Sequence, residues 1–399
     1  MSTAPELSTE TLIIRGEASE SAVVPRFWLL VVAGPDTGAT FTSGGDRTVI
    51  GTYDSCDLVL RDSTVSRFHC EIEMARGRPV IRDLGSLNGT MVNGVSVAAA
   101  GLKSGSTIGV GRTQIRFDVG SEDAKLPLSP RNRFGRLVGR SVAMRRAFEL
   151  LERAAAGDQP VVIEGEPGTG KRTAAAAVHA ESARRDGPLV VVDCSAAAGD
   201  RIEGEIFGRR GAFEAAQGGT LVLAEVPALP PEAQQRLLRT LERKEAAPDV
   251  RIVATTHRNL RAEVNGKRFR ADLSYRLAGT EVRLPPLRER SDDMPLLIAD
   301  LAERWVGKER VASIATQLAG IGRGAFSGNV AELEAAVARA LDAGGAAGEL
   351  PLFAARDAFV RAEERRWAAA LLARHGDEEV AAHAGGVDLL TFRRLLGGR

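Results

Sequence analysis

The stretch PVVIEGEPGTGKRT (Pro160–Thr173) decides the fold of the central part of this chain. Its first half is an apolar, β-branched run typical of a buried strand, and the alanine-rich text that follows predicts a helix. Between them, Gly165, Gly168, Gly170 and Lys171 form the phosphate-loop pattern. Glycines are needed because backbone N–H groups must turn toward a polyphosphate at a helix N-terminus. We predict that the loop binds a nucleotide; a glycine-rich turn without a ligand is the alternative.

Around this loop the sequence patterns change three times. Strand and helix patterns alternate on both sides of it, which predicts an α/β domain with a parallel sheet. Short β-rich runs before it, between Phe27 and Phe117, indicate an all-β sandwich, and helical text follows LPPLRER. The expected segments are a flexible tail at 1–24, the sandwich at 25–119, a linker at 120–134, the α/β domain at 135–286, an α-helical lid at 287–345, a second linker at 346–359 and a small all-α domain at 360–399.

Composition limits the class of protein. The chain has 399 residues, and its 53 Lys and Arg against 52 Asp and Glu leave a net charge of +1. No global basic field therefore favours nucleic acid or a membrane surface, so such contacts must be local. The three cysteines have no metal-ligand spacing and suit a reducing compartment. No leader or membrane-spanning run is visible, so we expect a cytoplasmic protein without membrane contact.

A series of blocks after residue 134 carries a family resemblance. The blocks EIFG, FEAAQGGTLVLAEV, RIVATTHRNL, KRFRADLSYRL, VRLPPLRERSDDMPLL and FSGNVAELEAAVARAL follow the phosphate loop in one order. In that order they resemble the AAA+ domain of bacterial sigma-54-dependent enhancer-binding proteins. The resemblance implies that the domain binds ATP with Mg²⁺, forms homo-oligomeric rings and acts on the sigma-54 RNA polymerase holoenzyme.

The same resemblance implies the roles of individual residues. Glu225 would orient water for hydrolysis, and Arg270 and Arg276 would be offered to the γ-phosphate of a neighbouring subunit. The nucleotide would be bound by Val138, Gly139, Gly165, Glu166, Pro167, Gly168, Thr169, Gly170, Lys171 and Arg172.

Several departures from the family pattern bear on catalysis. Ala224 stands where the metal-organising aspartate belongs, His257 replaces an asparagine, and Ala331 replaces an arginine of the lid. The loop that contacts the sigma factor is missing from the alignment around GAFEAAQGGT. Because stabilisation of a transferring phosphoryl group is shared among lysine, metal and arginines, we expect impaired hydrolysis and impaired sigma-54 contact. An active ATPase is the alternative.

The N-terminal sandwich carries a second resemblance. The stretch IGTYDSCDLVLRDSTVSRFHCEIEM (Ile50–Met74), with the later SLNGT, resembles the forkhead-associated (FHA) domain, which binds phosphothreonine peptides. The resemblance implies that Ser66 contacts the phosphate, that Asn88 contacts the peptide main chain, and that His69 braces the loop. Arg67 is the nearest candidate cation, because Thr52 stands where the family has its phosphate-binding arginine. A sandwich kept only for docking or oligomerisation is the alternative.

The C-terminal segment ERRWAAALLARHGDEEVAAHAGGVDLLTFRRLLGGR resembles a Fis-type helix-turn-helix. By resemblance, Thr391, Arg393 and Arg394 would contact promoter-upstream DNA. Seven arginines against six acids in 361–399 give a local net charge of only +1, a weak electrostatic footprint for DNA. A helical hairpin packed on the lid is the alternative.

Together these patterns predict a transcription regulator that couples phosphothreonine recognition to an ATP-binding AAA+ core. The alternative is a non-catalytic scaffold or antagonist that binds phosphoproteins and carries a degenerate AAA+ domain.

Overall fold

The computed structural model describes residues 12–15, 20–75, 77–196, 200–242, 249–307, 321, 325–343, 372 and 376–384. The chain divides into two compact units. One unit comprises Met1–Pro130 together with Arg258–Tyr275, and the other comprises Arg131–His257 and Arg276–Arg399.

The elements are numbered in chain order. The strands are β1 (Leu12–Arg15), β2 (Glu20–Ala33), β3 (Thr40–Thr42), β4 (Arg47–Gly51), β5 (Leu58–Val59), β6 (Cys70–Ala75), β7 (Arg78–Asp83), β8 (Thr90–Val92), β9 (Val95–Val97), β10 (Ala99–Gly101), β11 (Ser106–Val110), β12 (Thr113–Leu128), β13 (Arg133–Phe134), β14 (Leu137–Val138), β15 (Val161–Glu164), β16 (Leu189–Asp193), β17 (Thr220–Ala224), β18 (Arg251–Thr256) and β19 (Thr280–Arg283). The helices are α1 (Val142–Ala156), α2 (Lys171–Ala180), α3 (Asp200–Phe207), α4 (Ala212–Ala215), α5 (Pro231–Glu242), α6 (Leu260–Asn265), α7 (Ala271–Leu277), α8 (Met294–Val306), α9 (Asn329–Ala343) and α10 (Glu378–Ala384).

The first unit contains the predicted β-sandwich. One sheet has the order β1-β2-β12-β11-β8-β9, with β3 paired to β2, and the other has the order β10-β7-β6-β4-β5. At the start of β12, Thr113, Ile115 and Phe117 are buried while Gln114 and Arg116 are exposed, as expected for a strand with one face on the core. The rings of Phe27 and Phe117 lie 5.2 Å apart between their centroids, which joins β2 to β12 inside this core.

Two segments of the first unit differ from the expectation of a tail and a linker. Residues 12–15 pair antiparallel with β2, which itself begins at Glu20. Residues 120–128 continue β12, and its last residues pair with the first part of β2 down to Leu128 opposite Glu20. The alternation in AKLPL, where Ala124, Leu126 and Leu128 are buried, explains this extension. The prolines and charges of the segment concealed that period-2 signal.

The segment Arg258–Tyr275 belongs to the first unit, where Asn265 at the end of α6 attaches it to the sandwich. The Asn265 side chain accepts from the Phe68 N–H at 3.3 Å and donates to the carbonyl oxygens of Phe68 and of Leu84, the latter at 2.8 Å. The start of α6 is capped by Asn259, whose side chain accepts from the Ala262 N–H at 3.0 Å.

The second unit is built on the predicted parallel sheet, with the order β16-β17-β18-β15-β19. Every residue of β17 and β18 is buried, which is typical of the inner strands of a parallel sheet. Helices α1 and α2 pack on this sheet through a core that includes Phe148, Leu151 and Val178. Because the carboxyl ends of parallel strands lie at the same edge of a sheet, the residues that follow β15, β16, β17 and β18 lie close together at that edge.

Helices α8 and α9 form a second core in this unit. Leu301, Leu333, Val337 and Leu341 pack with Val138, and Leu287 joins them from the segment before α8. The carboxylate of Asp293, at the start of α8, accepts from the N–H groups of Arg140 and Ser141 at 2.6 and 2.7 Å.

The predicted helix-turn-helix falls largely outside the described residues, which there include α10 but not Thr391, Arg393 or Arg394. Within the described part of the chain, no helix is long and apolar enough to cross a membrane. Cys56, Cys70 and Cys194 are all buried and free of disulfides.

Candidate functional site

The phosphate loop joins the end of β15 to the start of α2 and requires its glycines. Gly168 and Gly170 have φ values of +77° and +104°, in the left-handed region that favours glycine. A Cβ on Gly168 would lie 2.1 Å from the carbonyl oxygen of Gly328, and a Cβ on Gly170 would lie 2.9 Å from a methyl carbon of Leu137. The loop is therefore closely covered, and no other residue type fits at Gly168.

Lys171, the first residue of α2, points back into this loop. Its Nζ donates to the carbonyl oxygens of Gly165 at 2.8 Å and Glu166 at 3.1 Å, and lies 3.9 Å from Oε1 of Glu225. The side chain is 9% exposed. Burial lowers the pKa of Lys171, while the Glu225 carboxylate opposes that shift. The ammonium group is thus held where the phosphates of a nucleotide would compete with two backbone carbonyls.

A cavity of about 430 Å³ opens at the carboxyl ends of the strands, within the size range of small-molecule sites. Of the predicted nucleotide-binding residues, Val138 and 167–172 line it, whereas Gly139, Gly165 and Glu166 do not. The wall also contains Glu225, together with Ala224 and Ala331, two of the positions at which the sequence departs from the pattern that the family resemblance predicts. Its other lining residues are Arg136, Leu137, Thr173, Asp193, Thr255, Arg290, Leu297, Asp300, Leu301, Arg304, Val330 and Glu334.

Gly139 acts through packing. A Cβ at this position would lie 2.7 Å from the side chain of Met144 and 3.0 Å from the carboxylate of Asp293. Glycine therefore lets the segment before α1 approach the start of α8, next to the cavity residue Val138.

Glu166 and Asn329 connect the phosphate loop to the segment predicted to form the lid. Two nitrogens of Arg288 donate to the Glu166 carboxylate at 2.7 and 2.5 Å, and these bonds hold the pKa of Glu166 below its usual range. Asn329 donates to the carbonyl oxygen of Pro167 at 2.9 Å and accepts from the Leu287 N–H at 2.7 Å. Asn329 is 1% exposed, so these bonds are shielded from water.

The start of α9 adds main-chain bonds to the same loop. The N–H groups of Val330 and Ala331 both donate to the carbonyl oxygen of Gly168, at 3.0 and 3.3 Å. N–H groups at the start of α9, which have no partner within the helix, and the carbonyl oxygen of the loop thereby all form hydrogen bonds. Ala331, where the family resemblance predicts an arginine, therefore lies directly beside the loop.

Glu225 follows β17 and is held by His257, which follows β18. The Glu225 Oε2 atom accepts from the backbone N–H of His257 at 3.1 Å and lies 2.6 Å from its Nδ1. Since a carboxylate oxygen accepts, the imidazole proton lies on Nδ1. Sequence reasoning missed this contact because it considered only the loss of an asparagine amide at position 257.

Arg290 is a second buried cation at the cavity wall. It is 2% exposed and donates to the carbonyl oxygen of Thr169 at 3.3 Å, and its Nε finds no hydrogen-bond partner among the residues that the structure describes. Burial lowers the pKa of Arg290 to about 10, while Asp293 opposes the shift. The guanidinium stays charged at neutral pH and supplies positive potential to the loop.

The two predicted arginine fingers have different surroundings. Arg270, in the first unit, pairs with Asp272 at 2.7 Å. Arg276, in the second unit, donates to the carbonyl oxygen of Leu241 at 3.1 Å and does not line the cavity.

The sandwich brings its predicted phosphopeptide residues to one set of loops. The Ser66 Oγ accepts from the Leu87 N–H at 3.0 Å, and the Asn88 side chain donates to the carbonyl oxygen of Thr64 at 2.7 Å. The Thr52 N–H donates to the carbonyl oxygen of Ser66 at 3.1 Å, which places the substituted position beside the predicted phosphate site. The Arg67 side chain is exposed at the same loop.

His69 links these loops from inside. Its Nδ1 accepts from the Ser66 N–H at 3.1 Å, and its Nε2 lies 3.1 Å from the Gly89 carbonyl oxygen. A carbonyl accepts, so the proton lies on Nε2 and the ring is neutral. Burial lowers the pKa of His69, which keeps it neutral at physiological pH.

The residues of the cavity fit a nucleotide and its metal ion. The loop offers backbone N–H groups, a lysine and space enforced by glycine, while Thr173, Asp193 and Glu225 offer oxygen atoms at the wall. Such hard oxygen donors suit Mg²⁺, which usually binds through phosphates, waters and one or two carboxylates. Among the described residues, no group of three or more His, Cys, Asp or Glu side chains is placed to hold a metal ion by itself.

Comparisons with known proteins agree with this architecture. A family model of the Sigma-54 interaction domain matches residues 137–283, and a model of the FHA domain matches residues 48–111. The DNA-binding transcriptional regulator NtrC of Azospirillum brasilense is 40% identical over 245 residues, 56% of this chain and 49% of that protein. The chain thus spans about half the length of this relative.

Two further proteins are similar over a larger share. The transcriptional regulatory protein ZraR of Klebsiella oxytoca is 33% identical over 326 residues, 71% of this chain and 73% of that protein. The solved structure of NtrX from Brucella abortus in complex with ATP is 30% identical, with a TM-score of 0.47, and the match covers 67% of this chain and 70% of that one. With the matches to both domain models, the identity and coverage against ZraR show that this chain belongs to the family of NtrC/ZraR-type sigma-54 transcriptional regulators and carries an FHA domain.

Proposed function

We propose that the chain is a transcription regulator that couples phosphothreonine-peptide recognition by its FHA domain to binding of Mg²⁺–ATP by its AAA+ domain, with slow hydrolysis. The observation that carries this proposal is the cavity in which Lys171, the phosphate-loop glycines and Glu225 meet. Helix α2 begins at this loop, so its N-terminal N–H groups favour a phosphate there.

The chain's own residues determine how the nucleotide is held. Lys171 exchanges its bonds to backbone carbonyls for bonds to the terminal phosphates, and Arg290 adds positive potential beneath the loop. The bound Mg²⁺ would neutralise phosphate charge. Val138 provides an apolar wall, and the bonds from Asn329 keep the lid closed over the loop.

Slow turnover follows from two features of the same cavity. Ala224 has no carboxylate to orient the metal, and Ala331 has no charge to offer the phosphates. Oε2 of Glu225 is engaged by the backbone N–H and Nδ1 of His257, which leaves Oε1, 3.9 Å from Lys171 Nζ, to orient water. Each missing group removes part of the electrostatic stabilisation that phosphoryl transfer needs.

Nucleotide titration and an ATPase assay on one preparation test this proposal. Wild-type protein should bind ATP in the presence of Mg²⁺ and release phosphate at or near background rates. Lys171→Ala should abolish binding, and Lys103→Ala, which removes an exposed lysine of the sandwich, is the matched control. Robust hydrolysis that Lys171→Ala abolishes would refute slow turnover, and absence of binding would refute the nucleotide site.

Phosphopeptide recognition is proposed for the loops that hold Ser66, Arg67 and Asn88. The phosphate would accept one hydrogen bond from the Ser66 hydroxyl and a charge-assisted one from the Arg67 guanidinium. Arg67 would thereby replace the arginine that the family has where this chain has Thr52. Calorimetry with a phosphothreonine peptide library tests this. Ser66→Ala should weaken binding, while Ser121→Ala at an exposed position of β12 should not. Equal affinity for the unphosphorylated peptides would refute the proposal.

Further properties of the family are proposed with their own tests. A ring would bring Arg270 and Arg276 to a neighbouring γ-phosphate, and light scattering with and without nucleotide detects such an assembly. Binding of promoter-upstream DNA is proposed for Thr391, Arg393 and Arg394, and a gel shift at several salt concentrations tests it. Contact with the sigma-54 holoenzyme is proposed to be weak because the contact loop is missing.

A non-catalytic scaffold or antagonist is the second candidate function. The alanines at 224 and 331 favour it. It predicts phosphopeptide binding without any effect of nucleotide on that binding. A peptide titration repeated with saturating Mg²⁺–ATP separates the two functions, because coupling is reciprocal between two linked sites.

A further inference from the structure

A carboxylate stands beside the alanine that interrupts the metal-binding pattern. Strands β16 and β17 pair in parallel, and Asp193 is the register partner of Ala224. Both residues are the last of their strands and both line the cavity. Neighbouring strands are about 4.8 Å apart, so the two positions offer side chains at the same edge of the sheet.

The Asp193 carboxylate is held in place by groups that leave it charged. Its Oδ1 accepts from the Ser195 N–H at 3.1 Å and from the Ser195 hydroxyl at 2.6 Å, while Oδ2 pairs with Arg172 at 2.5 Å. The bonds from Ser195 and the charge of Arg172 hold the pKa of Asp193 below its usual range, against the effect of burial. The Arg172 side chain is 67% exposed, so this ion pair is open to exchange with solvent ions.

The other carboxylates of the cavity wall are less suited to replace the missing one. Glu225 is bound to His257, and Asp300 pairs with both Arg133 and Arg304. Glu334 projects from α9 in the lid and not from the sheet. Among the described residues that line the cavity, Asp193 alone combines a position at the edge beside Ala224 with an exchangeable partner.

We propose that Asp193 orients the Mg²⁺ of the bound nucleotide in place of the aspartate absent at position 224. This inference rests on the proposed nucleotide site. Mg²⁺ keeps several waters at about 2.1 Å, and a hydrogen bond of about 2.8 Å from such a water extends the reach of the metal to a carboxylate on the adjacent strand.

Mg²⁺-dependent nucleotide affinity tests this role without reference to turnover. A fluorescent ATP analogue is titrated against wild type, Asp193→Asn, Ala224→Asp and the double variant, each in excess EDTA and in Mg²⁺. The measured quantity is the Mg²⁺ ratio, the nucleotide affinity in Mg²⁺ divided by the nucleotide affinity in EDTA. Mn²⁺ binding to the ADP complex, followed by electron paramagnetic resonance, gives a second measure. Asp193→Asn should lower Mn²⁺ affinity about tenfold or more and reduce the ratio toward one. The double variant should recover both.

Two controls separate metal orientation from a structural role. Asparagine at position 193 retains an oxygen that accepts from Ser195. Ser195→Ala measures the effect on nucleotide affinity of losing the Ser195 hydroxyl bond alone. Arg172→Ala removes the ion pair and one predicted nucleotide contact, so it should lower the affinity by the same factor in both buffers and keep the Mg²⁺ ratio, since the carboxylate remains. A wild-type ratio in Asp193→Asn, loss of binding in EDTA as well as in Mg²⁺, or a collapsed ratio in Arg172→Ala would overturn the inference. Absence of nucleotide binding by wild type in both buffers would instead refute the proposed nucleotide site.

Discussion

Asn329→Ala is the substitution that tests most directly how the lid is fastened to the phosphate loop. The side chain accepts from the Leu287 N–H at 2.7 Å and donates to the Pro167 carbonyl oxygen at 2.9 Å and to the Glu166 carboxylate at 3.3 Å. Leu287 is fully buried, so its N–H has no access to water once the acceptor is removed.

The magnitude follows from these contacts. An orphaned buried N–H costs about 2 kcal/mol, and loss of the donor bonds adds about 1 kcal/mol. Asn329 also has φ = +58°, where alanine costs about 1 kcal/mol more than asparagine or glycine. We therefore expect Asn329→Gly to destabilise the attachment of the lid by about 3 kcal/mol and Asn329→Ala by about 4 kcal/mol.

Hydrogen exchange at the Leu287 amide is the assay, because it reports local opening without assuming two-state unfolding of the whole chain. A cost of about 3 kcal/mol corresponds to exchange on the order of a hundredfold faster. Asn329→Gly should reach this value, and Asn329→Ala should exceed it. The amide of Val162, inside β15 of the central sheet, serves as an internal control. Exchange of Leu287 at the wild-type rate in both variants would refute the reasoning.

Gly168→Ala places a Cβ 2.1 Å from the Gly328 carbonyl oxygen at φ = +77°, so nucleotide affinity should fall more than about tenfold, and an unchanged titration would contradict the contact. Asp62, 1% exposed, accepts from Thr64, Arg112 and Thr113; these bonds outweigh burial and hold its pKa far below the usual range. The ionised carboxylate therefore adds to the free energy of unfolding above the unfolded-state pKa of about 4, and this contribution is lost as the pH falls below that value. Asp62→Asn should lower the melting temperature at pH 7 and weaken its decrease at acid pH. Melting temperatures that fall with pH in parallel for the two proteins would contradict this. Asn265→Ala should increase hydrogen exchange at the Phe68 amide about tenfold while the Ile72 amide is unchanged, and equal protection in both proteins would contradict the bond.

The sequence predicted the parts of this molecule that depend on local pattern. Apolar runs such as TLVLA predict buried strands of a parallel sheet, and β17 is buried throughout. The phosphate loop was predicted from Gly168, Gly170 and Lys171 because their spacing between a strand and a helix leaves few other structures. The match of residues 48–111 to the FHA domain confirms the sandwich predicted from short β-rich runs.

Contacts between distant segments could not be predicted in this way. Nothing local to His257 indicates that it binds Glu225, because the two meet only when β17 and β18 pair. The partnership of Asp193 with Ala224 likewise depends on strand register, which a single sequence does not specify for parallel strands. Asn265 carries no signal of its bonds to Phe68, since 197 residues separate them.

The central claim is that the AAA+ cavity binds Mg²⁺–ATP but hydrolyses it slowly. A single-turnover experiment tests it most directly: labelled ATP is mixed with excess protein and Mg²⁺, and bound ATP and bound ADP are separated over time. The account predicts that the label is retained on the protein as ATP over many minutes, and that Lys171→Ala retains none. Rapid conversion of bound ATP to ADP, or equal retention by wild type and Lys171→Ala, would contradict it.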